Sequence, residues 1–216
     1  MAPELFPPET PSETPSAIYT VGHSNQPLDR FLDLLQRHGI STLIDVRSAP
    51  YARYATHFNR PDLSAAIALR GIRYRYLGAE LGGRPEGEEY YGDTGHVLYY
   101  KVATAPFFLR GLTQLLAEGK RARTAIMCSE EDPTNCHRRL LIGRVLGEQA
   151  VPVIHLRADD REQTAEEFLQ RQAPSLWDDL TTDEGEDVTW TSTQSVLPKN
   201  RQRRFSSYSN EREFDV

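Results

Sequence analysis

Short runs with strand composition alternate with amphipathic segments along most of this chain, and this alternation restricts the possible folds more than any other feature of the sequence. The strand-like runs span residues 17–21, 42–46, 72–77, 124–127 and 151–156. The segments with apolar residues at helical spacing span residues 28–39, 61–69, 106–118, 137–149 and 161–171. This order predicts an α/β fold: a single domain with a mostly parallel sheet flanked by helices on both faces.

Composition divides the chain into a domain and two polar ends. Residues 1–16 contain five prolines among Glu, Thr and Ser, a composition that cannot bury a core and predicts a disordered arm. Residues 17–173 form the predicted domain. Residues 174–216 are polar and predict a mobile tail, although Trp177 and Trp190 could dock on the domain.

Charge and hydropathy exclude some classes of function. The net charge of −6 argues against binding to polyanions by bulk electrostatics, but leaves a local basic surface possible. The chain has no run of eighteen apolar residues and no signal-peptide pattern, so we expect no membrane partner and a cytoplasmic location. In that reducing compartment the two cysteines would be thiols, a redox pair or ligands rather than a structural disulfide.

Both cysteines lie in one short stretch that begins at a strand end and continues into a helix. Cys128 ends the strand-like run, and Cys136 and His137 open the next helix. The helix dipole and the neighbouring basic residues predict a stabilised thiolate at Cys136. Glu130, two residues after Cys128, would instead raise the pKa of that thiol.

Two other interpretations of the cysteines stay open. Both could be small buried residues without chemistry, which is common for free cysteine. Cys128, Cys136 and a histidine could also bind a metal, but this spacing matches no standard zinc motif, and we assign no metal ligands.

Polar residues lie at the ends of four of the predicted strands. The carboxyl ends of parallel strands lie along one edge of a sheet, where α/β proteins bind their ligands. We therefore expect a site at this edge. Its candidate residues are His23, Ser24, Asn25, Asp45, Arg47, Tyr76, Cys128 and Glu130.

Simpler explanations exist for several of these residues. Asp45 and Arg47 lie on one face of an extended segment and could form a buried ion pair. His23 could cap the following helix or contact a carbonyl group. A basic-aromatic loop after the second strand could hold an anion or a base, or could be solvated and anchored by one Phe. That loop contains Arg53, Tyr54, His57, Phe58 and Asn59.

Five motifs together resemble a family of small bacterial and archaeal proteins known as domain of unknown function 488. The resemblance covers residues 18–171 and implies an α/β domain in the cytoplasm, without a reaction. The motifs are Thr20-Val21-Gly22-His23-Ser24, Asp45-Val46-Arg47, Phe58-Asn59, Tyr76-Leu77-Gly78 with Leu81-Gly82-Gly83, and Cys128-Ser129-Glu130 with Cys136-His137-Arg138.

A weaker resemblance is to rhodanese-type sulfurtransferases. Residues 43–47 are similar to an early strand of those enzymes, and Cys128 ends a later strand as their nucleophile does. Such enzymes follow the cysteine with a short loop, whereas eight residues precede the helix here, three of them acidic.

Three functions are compatible with the sequence, which does not identify a cofactor. The first is a small enzyme that acts on an anionic substrate, with Cys136 or Cys128 as nucleophile, His23 or His137 as acid or base, and Arg47 and Arg138 as substrate ligands. The second is a nucleic-acid or nucleotide binding protein. The third is an interaction module with inert cysteines.

The nucleic-acid or nucleotide binding function would use a set of basic and aromatic residues: Arg53, Tyr54, His57, Phe58, Arg73, Tyr74, Arg75 and Tyr76.

Overall fold

The structure, a computed structural model, describes residues 16–165, 167 and 190–196. A six-stranded sheet with the order β3-β2-β4-β1-β5-β6 forms its centre. The first five strands in this order are parallel, and β6 is antiparallel to β5. The strands are β1 (Ile18–Gly22), β2 (Thr42–Asp45), β3 (Arg73–Tyr76), β4 (Thr124–Cys128), β5 (Val153–Leu156) and β6 (Glu162–Thr164).

Helices cover both faces of the sheet, which confirms the predicted α/β fold. On one face, Leu43 and Met127 pack against α1 (Leu28–Arg37) and α2 (Arg60–Leu69). On the other, Ile44 and Ile126 pack against α5 (Pro106–Arg121) and the helical segment that follows β4. Successive strand residues point to opposite faces of the sheet, so a strand that is apolar on both sides contributes side chains to both hydrophobic cores. The helices are α1 (Leu28–Arg37), α2 (Arg60–Leu69), α3 (Gly78–Leu81), α4 (Tyr99–Ala103), α5 (Pro106–Arg121), a π-helical segment (Arg138–Gly143) and α6 (Arg144–Glu148).

Two element predictions need correction. Gly119 does not end the helix predicted at residues 106–118, because α5 continues to Arg121. A Cβ on Gly119 would lie 2.5 Å from the side chain of Ile18, so this glycine allows the helix to approach the sheet. The helix predicted from residue 161 is wrong at its start, because Glu162–Thr164 pairs with β5 as an edge strand. The strand predicted at residues 151–156 is therefore not the last.

The ends of the chain are described only in part. Residues 1–15, 166, 168–189 and 197–216, which include Trp177, lie outside the described residues. Residues 190–196 contact the domain: Trp190 Nε1 donates a hydrogen bond to the carbonyl of Leu140 at 2.7 Å, and Thr191 forms a β-bridge with Leu98. Across the described ranges, no helix combines the length and the apolar character needed to cross a membrane.

Candidate active site

The loop after β4 folds back against the end of β1. His23 and Ser24 donate backbone hydrogen bonds to the carbonyls of Cys128 and Ser129, at 3.1 and 2.8 Å. A Cβ on Gly22 would lie 1.7 Å from the carbonyl oxygen of Glu130, so only glycine fits there. The strand end and the loop are thus held in direct contact.

Two arginines, Arg138 and Arg157, hold the loop after β4 in place. Arg138 is fully buried and donates to Thr20 Oγ1 at 2.7 Å and to the carbonyl of Glu130 at 3.0 Å. Arg157, after β5, forms a two-pronged ion pair with the carboxylate of Glu131, at 2.9 and 2.8 Å. These contacts fix the path of the chain between the two cysteines.

The loop brings both cysteines, a histidine and a carboxylate together. The thiols of Cys128 and Cys136 donate to Glu130 Oε2, with Sγ–O distances of 2.9 and 3.2 Å. His137 Nδ1 lies 3.6 Å from Cys128 Sγ and 3.9 Å from Cys136 Sγ. One donor atom from each of the two cysteines and the histidine falls within a mutual distance of 4.8 Å. We call these four residues the Cys-His-Glu cluster.

The far side of the His137 ring is fixed by the protein backbone. Its Nε2 lies 3.2 Å from the carbonyl of Val46, which can only accept a hydrogen bond. Nε2 therefore carries a proton and Nδ1 faces the sulfurs. A Cβ on Gly83 would lie 2.8 Å from this ring, so the glycine leaves the space that the imidazole occupies.

The electrostatics of the cluster do not favour a free thiolate at Cys136. Burial raises the pKa of the Cys136 thiol well above its ordinary value, and the neighbouring Cys128 raises it further. The prediction that the helix start lowers this pKa is therefore wrong: Cys136 is 1% exposed, and desolvation outweighs the helix dipole.

The pKa values of Glu130 and His137 shift in the direction opposite to the one that burial alone would cause. Burial would raise the pKa of Glu130, but hydrogen bonds from Cys128 and other neighbours outweigh it, so this pKa is lowered. Burial likewise opposes protonation of His137, but Cys136 and Glu130 raise the pKa of the imidazole above its ordinary value.

Asp45 and Arg47 form a buried ion pair, which confirms the simpler of the two explanations. Arg47 Nη2 lies 2.6 Å from Asp45 Oδ2, and both side chains are almost fully buried. Arg47 Nη1 donates to His23 Nε2 at 3.0 Å, and His23 Nδ1 lies 2.7 Å from the carbonyl of Ser24. Burial lowers the pKa of His23 to about 4, so this imidazole is neutral at neutral pH. Phe58 stacks on it at 4.3 Å.

The Cys-His-Glu cluster lies in the wall of a pocket of about 370 Å³. Arg47 joins the cluster there, together with Arg84, which is exposed. The remaining wall residues are Ser48, Ala49, Tyr51, Gly83, Tyr99, Ser129, Asn135, Ser192, Gln194, Ser195 and Val196.

Several residues predicted for the site lie outside the pocket wall. Ser24 and Asn25 are exposed in the turn after β1. Tyr76 donates to the carbonyl of Ser48 at 3.3 Å. The amide oxygen of Asn59 accepts from the backbone of Ala52 at 2.7 Å. The others outside the wall are His23, Asp45, Arg53, Phe58 and Arg138.

The sequence interpretation missed two parts of the wall. One is Tyr99, the first residue of α4, whose pKa is raised, mainly by burial and also by the cysteines. The other is residues 192–196, which reach the pocket because Trp190 anchors them. The Leu81-Gly82-Gly83 motif could have indicated that the segment before Tyr99 approaches the site, since Gly83 lies against the ring of His137.

Fold and site together define a mainly parallel α/β protein with a cysteine-histidine cluster at the carboxyl edge of its sheet. The chain matches the family described as domain of unknown function DUF488 over residues 27–145, more than half of its length, and it belongs to that family. No curated protein and no solved structure matches it.

Proposed function

We propose that this protein is a small enzyme that acts on a small anionic substrate, with the Cys-His-Glu cluster as its reaction centre. One observation carries the proposal: two thiols, an imidazole and a carboxylate converge within hydrogen-bonding range in the wall of an open pocket. Perturbed titratable groups that converge in a pocket are typical of reaction centres.

Glu130 is one group of the cluster that can move a proton. Its lowered pKa keeps the carboxylate ionised at neutral pH, so it can accept a proton from a bound molecule. Glu130 reaches solvent as a whole residue, although its carboxylate packs against two buried sulfurs. His137 is held by the hydrogen bond between its Nε2 and the carbonyl of Val46, and its Nδ1 faces the two sulfurs of the cluster. Cys128 is the more accessible of the two thiols.

The pocket wall supports an anionic substrate. Arg84 carries an exposed positive charge, whereas the charge of Arg47 is compensated by Asp45. We therefore assign the substrate contact to Arg84, and give Arg47 the role of holding His23 and the base of the pocket. Arg138 is buried and donates to backbone carbonyls, so we give it a positioning role in the loop.

Untargeted metabolite profiling tests this proposal for any small anionic substrate. The purified protein is incubated with a polar metabolite extract, and mass spectrometry follows which compounds disappear and which form. We expect changes with the wild type that are absent with Glu130→Gln and weaker with Arg84→Ala. Glu86→Gln, a change at an exposed position outside the pocket wall, serves as the matched control and should act like the wild type. A wild-type profile identical to that of Glu130→Gln would contradict the proposal.

A second candidate is nucleotide or single-stranded nucleic-acid binding, which one observation favours. Tyr51, in the pocket wall, is 65% exposed, and Tyr54 nearby is 85% exposed with Arg53 over its ring at 5.7 Å. Exposed aromatic and basic side chains suit base stacking and phosphate contact. Fluorescence titration with oligonucleotides should then show affinity that falls as salt rises and that Tyr54→Ala weakens.

The rest of the basic-aromatic set contributes little to such a surface. Phe58 is fully buried. Tyr74 donates to Asp45 Oδ2 at 2.7 Å, and Arg73 and Arg75 both pair with Glu118. The nucleic-acid candidate thus depends on the exposed loop alone.

A further inference from the structure

We propose that Cys128, Cys136 and His137 bind one thiophilic divalent metal ion of the zinc class, with the fourth coordination position open to the pocket and Glu130 beside it. This inference rests on the proposed function, since it identifies the cofactor of the same reaction centre. It is supported by donor geometry, by the hydrogen bonding of the histidine and by the position of the carboxylate.

The donor separations fit a tetrahedral ion. Zinc bonds of about 2.3 Å to sulfur and about 2.1 Å to nitrogen place these two ligand atoms about 3.6 Å apart. His137 Nδ1 lies 3.6 Å from Cys128 Sγ and 3.9 Å from Cys136 Sγ. Thiolate and imidazole are also the ligands that zinc and cobalt(II) accept in tetrahedral sites.

The histidine is oriented as metal ligands usually are. Metal-binding imidazoles donate their second ring nitrogen to a carboxylate or a backbone carbonyl, which fixes the tautomer and the ring. His137 Nε2 makes this contact with Val46 at 3.2 Å, and Gly83 leaves room for the ring. The lone pair of Nδ1 is thereby aimed at the two sulfurs.

The position of Glu130 argues against a fourth protein ligand. Its Oε2 lies 2.9 and 3.2 Å from the sulfurs, closer than two ligands on one zinc ion would stand. In the metal-free protein this carboxylate accepts a hydrogen bond from each of the two thiols. Metal binding releases both thiol protons to solvent. Glu130 then accepts a hydrogen bond from a metal-bound water in the fourth position, as required of a catalytic site with three protein ligands.

Cobalt(II) binding to the full-length protein tests the site directly. The purified protein is stripped with a chelator and titrated with cobalt(II), and absorption reports thiolate coordination through the sulfur-to-cobalt charge-transfer band. We expect one cobalt per chain, competition by zinc, and about one zinc per chain by elemental analysis of untreated protein. Wild type that is folded but binds neither metal would overturn the inference.

Variants identify the ligands. Cys128→Ser, Cys136→Ser and His137→Gln should each weaken cobalt binding by more than about 100-fold, since each removes a direct ligand and loss of even a supporting contact costs 10–100-fold. His96→Gln, a change at a partly exposed histidine outside the pocket wall, should leave it unchanged. Cys128→Ala replaces the serine variant if that one fails to fold. Unchanged binding in a folded cysteine variant would refute the ligand set.

Glu130→Gln separates the metal site from the reaction. We expect it to retain one cobalt per chain and to lose metabolite turnover, and loss of the metal in this variant would refute the open fourth position. Stoichiometric metal without turnover in the wild type would refute the proposed function and leave the metal site standing. Turnover by metal-free protein at the rate of the zinc-loaded protein would refute the metal as cofactor and leave the enzyme standing.

Discussion

The carbonyl oxygen of Glu130 occupies the space that a side chain on Gly22 would need, since a Cβ atom on this glycine would lie 1.7 Å from that oxygen. This contact joins the end of β1 to the loop after β4 and so sets the position of the Glu130 carboxylate. We expect every change at this contact to affect the stability of the fold and the Cys-His-Glu cluster together.

Gly22→Ala tests that contact. The methyl group must displace backbone atoms rather than a flexible side chain, so we expect a loss of about 3 kcal/mol in the free energy of unfolding and weaker cobalt binding. Gly147→Ala is the matched control: apart from the adjoining helix backbone, no atom of the described residues lies within 4 Å of its Cβ position in α6, and alanine should raise stability by up to about 1 kcal/mol through helix propensity. Urea unfolding measures both. Equal stability of the two variants would contradict the packing argument.

Arg138→Met tests the support beneath the loop. It removes the hydrogen bonds to Thr20 and to the carbonyl of Glu130 while keeping most of the side-chain volume. Leaving these acceptors without their donor should cost about 3 kcal/mol of stability. Arg110→Met, an exposed change on α5, should stay within about 0.5 kcal/mol of the wild type. A loss of similar size in both variants would indicate that charge alone matters.

His155 makes stability depend on pH in the acidic range. Burial, reinforced by the positive charges of Arg138 and Arg139, lowers its pKa to about 3. The unfolded chain, with an ordinary histidine pKa near 6.5, therefore binds a proton that the folded protein does not bind between these values. Stability is complete above pH 6.5 and falls as the pH drops towards 3, by at most about 5 kcal/mol.

Thermal unfolding from pH 7.5 to 4 measures this dependence. Replacing His155 by Gln should flatten the curve, whereas His96→Gln should leave it unchanged. His23, whose pKa is lowered to about 4, contributes in the same direction and remains in both variants. A curve of unaltered slope in His155→Gln would show that other groups dominate the acid response.

Alkylation rates should separate the two cysteines. Cys136 is more deeply buried than Cys128 and its pKa is raised by burial, so we expect it to react with iodoacetamide at neutral pH at least about 10-fold more slowly than a free thiol. Chelator treatment should increase the rate at Cys128 more than at Cys136, as peptide mass spectrometry would reveal. Faster reaction of Cys136 than of free cysteine would instead favour a nucleophilic role for that thiol.

The sequence by itself determined the five parallel strands, the main helices between them and the edge of the sheet where the site lies, but not α3, α4 or β6. Apolar runs such as residues 125–127 are buried on both faces of a sheet only when helices cover both faces, so the layers followed from the pattern. Cys128 at a strand end and His137 at a helix start were likewise predictable, because local periodicity marks where each element begins and ends.

Only the tertiary structure decided which of these groups meet and how each is protonated. The seven residues between Cys128 and Cys136 resemble no metal motif, yet Arg138 and Arg157 fold them so that both sulfurs face His137. The raised pKa of Cys136 also depends on burial by distant residues. Local spacing carries no information on these contacts, since desolvation and long-range hydrogen bonds arise only when separate elements pack together.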